Sequence, residues 1–400
     1  MTKQGRHIRL VTDLADSDQL NRWVATFDDA VPLWAHYWNR DADAVKDFHV
    51  TAYLMVDKSA FIAKGVLPRS LPDFRHGYQS GDFLWVNHQP SDYYNAHLLL
   101  HEGVHAIAAH FFGGGGPPWY SEGTAEWLAV HETAPTRVGA VPDSPESVLG
   151  WGRLELIASA RDANRIPSIE SVMRYGDTAH RDVEPYAWSW LAVTLMEMYP
   201  EYREAFRGAA LVGRDTSPEF TRTLYRSLQR RWPELSARWR LLAADIDYGW
   251  QPDRHRVELP TDLPRLIAGR QHKIDLDVTR GWQTAPFKLM PGQTVNLTAP
   301  GRFVIRRSET GDPDDDWESE ATGVTIRYHR GRPIGQLVAT LVPTQPAGDQ
   351  PFVGVPEVTT VGAAHSLTAT AESHLLLRIN ESSPGLADNV GTLAVQVVSP

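Results

Sequence analysis

Cysteine is absent from the 400 residues. That excludes disulfides, thiolate metal sites and cysteine nucleophiles together. It suits the cytoplasm and equally suits many exported bacterial proteins. Apolar runs are short, and none reaches the roughly 20 residues a helix needs to span a bilayer. Basic residues are the minority sign: 39 Lys and Arg stand against 49 Asp and Glu, for a net charge of −10. Nonspecific nucleic-acid binding, which needs cations to neutralise phosphates, is therefore not expected. The opening residues, Met1-Thr-Lys-Gln-Gly-Arg-His, lack the apolar core of a signal peptide. The expectation is a cytoplasmic protein, or an exported one if the chain is a trimmed mature form. The glycine run 113–116 has no following Lys-Ser/Thr, so it is not a P-loop. It reads either as a mobile rim or as a flexible turn.

What remains is ordinary globular composition, 42% hydrophobic and 22% charged, with tryptophan high at 14 copies. The length suggests two or three domains. The most informative segment is His101-Glu102-Gly103-Val104-His105. On a helix, positions i and i+4 share a face, so both rings can aim at one point, and Glu102 stands beside them to take a proton from a metal-activated water. The surrounding segment 96–109 is apolar and helical, and buried polar groups there need partners that a metal supplies. Zinc takes about four ligands and a hydrolytic site keeps one open, so one more protein ligand is needed. Glu122 is the best candidate. It sits on a second helix that begins near Trp119, after Pro117-Pro118 stops the first.

The pair His101-Glu102-x-x-His105 and Trp119-Tyr-Ser-Glu122-Gly-Thr-Ala-Glu126 resembles the gluzincin metallopeptidases, the superfamily of thermolysin and aminopeptidase N. The resemblance implies that Glu122 is the third zinc ligand and that Glu126 orients a ligand histidine. It also implies a tyrosine on a later helix to steady the oxyanion, which falls on Tyr186, with Tyr120, Tyr175 and His180 as rivals. A strand beside the cleft that pairs with extended substrate would be 82–87. No G-x-M-E-N amine anchor is present, which favours cleavage within chains.

Around these motifs the pattern predicts strands at 7–13 and 48–56, and a helix at 18–38 kinked or broken near Pro32. A short helix is predicted at 58–64, and helices at 153–161, 186–198, 201–208, 218–230 and 232–244. The expected fold class is an α+β zincin-like catalytic domain, a small N-terminal sheet plus a helical lower half, over residues 1–247. A linker at 248–265 then leads to an all-β sandwich at 266–400, built from short alternating segments between Gly/Pro turns. Residues 312–320, DPDDDWESE, read as an acidic loop.

The ending, residues 375–395, resembles the calcium-dependent galactophilic bacterial lectin in its N-D-x-P-G and N-N-x-G pattern. The resemblance implies calcium ligands at Glu381, the Gly385 carbonyl, Asp388 and Asn389, although Glu381 replaces an aspartate and Asp388 an asparagine. The combined expectation is a zinc endopeptidase acting on protein or peptide, with a C-terminal module docking on a glycan or protein. Two alternatives stay open: a carbohydrate-binding or adhesion protein on a degenerate zincin scaffold, and a zinc hydrolase of a non-peptide amide or ester.

Overall fold

The computed structural model describes residues 1–133, 135–176, 178–308, 310–346, 352 and 354–400. It is a mixed α+β chain with a β-rich C-terminal half. The chain condenses into two compact units, residues 1–157 with 169–229, and residues 158–168 with 230–400.

The first unit opens with β1 (Thr2–Gln4), β2 (Ile8–Thr12), α1 (Asp18–Tyr37), β3 (Val50–Met55), α2 (Lys58–Ala63), β4 (Gly77–Ser80), β5 (Phe83–Asn87), α3 (Asp92–Phe112) and α4 (Pro118–Ala129). The sheet order is β1-β2-β3-β5-β4. The inner strands run parallel, and antiparallel β1 and β4 form the edges. Alternation assigns the two faces. Ile8, Leu10, Val50, Ala52, Leu54, Leu84 and Val86 bury against α1 and α3. On the other face Met55 and Trp85 meet Phe61 of α2 and Leu67.

α1 runs unbroken through Pro32, and Ser17 stands at its N-cap without a side-chain bond. The expected break does not form, because Trp34, Phe27 and Val31 are fully buried and tertiary packing outweighs the lost hydrogen bond. The short β6 (His131–Thr133) and β7 (Thr136–Val138) follow, then α5 (Arg153–Asp162), whose residues from Ala158 on belong to the second unit, α6 (Ile169–Val172), α7 (Glu184–Met198), α8 (Pro200–Gly208) and α9 (Pro218–Leu228). Gly123 decides how α4 meets α7. A Cβ there would lie 2.5 Å from the Ser189 carbonyl, so only glycine permits this approach.

The second unit holds α10 (Trp232–Asp245), α11 (Pro252–His255), β8 (Gln271–Asp277), β9 (Gln283–Leu289), β10 (Thr294–Thr298), β11 (Arg302–Arg306), β12 (Trp317–Glu320), β13 (Thr322–His329), β14 (Arg332–Pro343), β15 (Thr359–Thr360), β16 (Ala364–Thr368), β17 (Ser373–Asn380) and β18 (Thr392–Val398). One sheet has the order β16-β10-β18-β8 and the other β13-β14-β17-β9. Leu276, Leu297 and Val395 of the first share a core with Phe287, Leu337 and Leu377 of the second, which makes a β-sandwich. The segment read as an acidic loop contains β12, paired antiparallel with β11.

α10, which the sequence reading gave to the catalytic domain, belongs to this second unit. Every residue of β17 is buried, so both its faces are covered. Ala237 and Leu241 of α10 join Val257, Leu259, Val338 and Leu376 in one cluster on the outer face. The segment expected as a linker is thus partly core.

Asp245, at the end of α10, is buried against Arg378 and Arg330. Burial opposes its charge, but the Arg378 and Arg330 guanidiniums hold its pKa at about 2, below the usual 3.8. A carboxylate depressed on folding adds stability that is full above its unfolded pKa. That stability is lost as pH falls through the folded pKa. The expected contribution is on the order of 2 kcal/mol, present above about pH 4 and gone near pH 2. Urea denaturation from pH 6 to pH 2 should show Asp245→Asn less stable at pH 6, with the gap to wild type closing in acid. A gap independent of pH would contradict the assignment.

Candidate metal centre

α3 carries His97, His101 and His105 at successive i+4 positions, a stripe along one face. α4 faces this stripe with Glu122 and Glu126. His101 Nε2 lies 3.1 Å from Glu122 Oε2 and 3.2 Å from His105 Nε2, and His105 Nε2 lies 3.5 Å from the same Glu122 oxygen. Ligands of a tetrahedral zinc, each roughly 2.0–2.2 Å from the ion, stand about 3.3–3.4 Å apart. The triangle has that size.

The atoms behind the triangle favour one tautomer of each ring. His101 Nδ1 is 3.4 Å from Glu126 Oε1, and His105 Nδ1 is 3.1 Å from Ser121 Oγ. A carboxylate behind His101 calls for a proton on Nδ1, which leaves Nε2 with its lone pair toward the centre. Ser121 can play the same part for His105. Two ring nitrogens and a carboxylate oxygen then converge as acceptors, and such a set needs a cation. Burial disfavours a charged His101, yet the Glu122 hydrogen bond and the Glu126 charge raise its pKa to about 9. A field that holds a proton so firmly also suits a dication. The residues fit zinc.

Glu126 is itself held by Trp151 and Arg153, with His97 close by. Trp151 Nε1 donates to Oε2 at 2.9 Å, Arg153 bonds both oxygens at 3.0 and 3.2 Å, and His97 Nε2 stands 3.4 Å away. His97 Nδ1 donates to the Ala129 carbonyl at 3.1 Å. Burial works against the Glu126 charge, but Arg153 and His97 keep its pKa well below the ordinary range.

Glu102 is buried beside the triangle. Burial raises its carboxyl pKa, and the Glu122 and Glu126 charges add to this while His101 and His105 oppose it. Gly77 of β4 lies directly on it, because a Cβ there would collide with Glu102 Oε1. The strand beside Glu102 is therefore β4. β5, the strand expected at the cleft, is paired on both sides, by β3 and β4, and has no free edge to offer.

Tyr186, in the first turn of α7, has its ring 6.0 Å from His101 and 4.8 Å from His180. The Arg153 guanidinium lies 5.6 Å from its ring centre. Burial and the Glu122 and Glu102 charges raise its pKa, so the hydroxyl keeps its proton. His180 Nε2 is 3.2 Å from Ser189 Oγ, and burial keeps this ring neutral. Tyr175 lies further out, its ring 6.1 Å from His180. Tyr120 is spent elsewhere, donating to the Phe206 carbonyl at 2.9 Å. The glycine run is a packed turn, with Gly116 N–H bonded to the Gly213 carbonyl at 2.7 Å.

Sequence reasoning missed His97, Ser121, Trp151 and Arg153. His97 was findable, since it repeats the spacing of four. Ser121 stands beside Glu122 on α4, inside the motif already singled out, while Trp151 and Arg153 come from a loop and a distant helix and carry no local signal.

In the second unit, Glu381, Gly385 and Asp388 line a cavity of about 280 Å³ with Arg306, Arg327 and Trp317. Glu381 Oε1 accepts from Ser382 N–H at 2.9 Å. Asn389 does not line the cavity: its Nδ2 donates to the Val278 carbonyl at 2.8 Å, and its buried Oδ1 has no partner among the described residues.

No family profile matches the chain, and no curated protein matches it. Among solved structures it is similar to the N-terminal domain of EclA, described as a PllA-like lectin. The identity is 17% and the TM-score 0.23, over 32% of this chain and 95% of that one. It is also similar to PliG of Aeromonas hydrophila, a periplasmic inhibitor of g-type lysozyme. There the identity is 11% and the TM-score 0.19, over 37% of this chain and 98% of that one. At these scores neither similarity bears on the reading of the site.

Proposed function

We propose that the first unit is a zinc-dependent metallopeptidase of the gluzincin type that cleaves within peptide chains. The observation that supports this is the convergence of His101, His105 and Glu122 on one point, with Glu102 buried alongside. Zinc bound there supplies Lewis-acid polarisation of the scissile carbonyl and a water acidic enough to attack near neutral pH. Glu102 takes the proton of the attacking water and passes it to the leaving amine. Its raised pKa suits both transfers. Tyr186 donates its hydroxyl proton in a hydrogen bond to the developing oxyanion, with His180 holding the ring from behind. Glu126, fixed by Arg153 and Trp151, keeps His101 in register. β4 offers the free sheet edge along which an extended peptide can pair. The second unit serves recognition. Among the described residues it has no cluster of three metal-ligating side chains.

Casein or a peptide library incubated with the intact protein should be cut at internal bonds, and a chelator should abolish the cutting. Cleavage that survives complete metal removal would refute the proposal. Tyr186→Phe should lower kcat by about 10–100-fold and leave KM within about twofold, because the contact forms mainly in the transition state. A change confined to KM would make Tyr186 a binding residue.

A further inference from the structure

The second unit's cavity has a mixed lining. Two carboxylates, Glu381 and Asp388, face two guanidiniums, Arg306 and Arg327, and Trp317 stands at the side. Trp317 is 41% exposed. The Arg306 guanidinium lies 5.1 Å from its ring centre, so the cation covers one face of an indole that stays partly exposed. Arg327 is exposed, and its charge acts on the Glu381 carboxylate in the same wall.

This is a poor cage for calcium. The ion takes about 6–8 oxygens. The chain offers the Glu381 and Asp388 carboxylates and the Gly385 carbonyl, and one Glu381 oxygen is already committed to Ser382. The buried Asn389 Oδ1 lacks a partner among the described residues, but Asn389 does not line the cavity. Two guanidiniums in the same wall cancel the negative field that would draw the ion in.

We propose that this cavity is a calcium-independent site for an acidic saccharide. Each group has a matching partner on such a ligand. The planar fork of Arg327, with Arg306 beside it, suits a carboxylate. Glu381 and Asp388 accept from ring hydroxyls, which an acidic peptide side chain cannot supply. The exposed part of the Trp317 indole takes the C–H face of a pyranose. At about 280 Å³ the space holds one sugar ring. The inference rests on the recognition role proposed above for the second unit and is independent of the hydrolytic centre.

The test is calorimetric titration of the full chain, in EDTA and in calcium, with galacturonate and glucuronate against galactose and glucose. A glutamate-rich peptide is the control. At least about tenfold preference for the uronates over their neutral parents is expected in EDTA. Arg327→Ala should abolish it, Arg327→Lys should keep part of it, and Trp317→Ala should weaken uronates and neutral sugars alike. Arg327 and Trp317 are exposed, so these variants should fold. Calcium-dependent binding of neutral galactose would overturn the inference and keep the recognition role. Binding of the peptide alone would do the same. No binding of any probe would overturn both.

Discussion

Glu102→Gln should fold, keep its metal and lose hydrolysis by about 10²–10⁴-fold, the usual value of a general base. The amide is isosteric, so it should fit beneath Gly77 as the carboxylate does. It cannot take a proton from water. His101, His105 and Glu122 are untouched, so elemental analysis should return the wild-type zinc content. Burial makes the outcome sharper. Glu102 is 6% exposed, so bulk buffer has little access to stand in for it. Turnover near wild type on any substrate the native protein cleaves would remove Glu102 from the mechanism.

His101→Ala and Glu122→Ala are each expected to abolish zinc retention and all chelator-sensitive cleavage. Each removes one of the three convergent atoms, and two ligands rarely hold zinc against dilution. The loss should also appear in stability. A metal that binds only the native state stabilises it by about 4 kcal/mol at a thousandfold excess over its Kd. Wild type should therefore melt higher with zinc than with chelator, and the two variants should melt alike in both. Glu126→Gln should behave differently. It leaves all three ligands but loosens the His101 ring and the buried Arg153 pair, so zinc affinity should fall about 10–100-fold without vanishing, with some loss of stability as well. Full zinc occupancy in His101→Ala and Glu122→Ala would refute the ligand set.

The centre was legible because its chemistry is local. His101, Glu102 and His105 lie within two turns of α3, and Glu122 and Glu126 lie within two turns of α4, so spacing alone puts them on two faces. Tyr186 was suggested only by family resemblance. The supports of Glu126 could not be placed at all, because Trp151 and Arg153 reach it from a loop and a helix start far along the chain. The strands that the pattern did not reveal were short or irregular. β4 is four residues beginning at Gly77, and β12 hides in a run of acids whose alternation is Trp317, Ser319 and Ala321. The place of α10 was written in the sequence in a form easily overlooked. The run 373–380, SHLLLRIN, has no polar alternation, and a strand without alternation is covered on both faces. Something had to lie on Leu376, and α10 does.

The path of the backbone between the two units has an evolutionary consequence. Residues 158–168 belong to the second unit, while residues on both sides of that stretch belong to the first. The chain thus leaves the first unit, returns to it and leaves again. No single crossover in the gene could transplant either unit whole, since any one breakpoint strands part of one unit with the other. An exchange of the second unit would have to carry residues 158–168 and α10 along with the strands. Descendants are therefore expected to inherit the two halves as a pair.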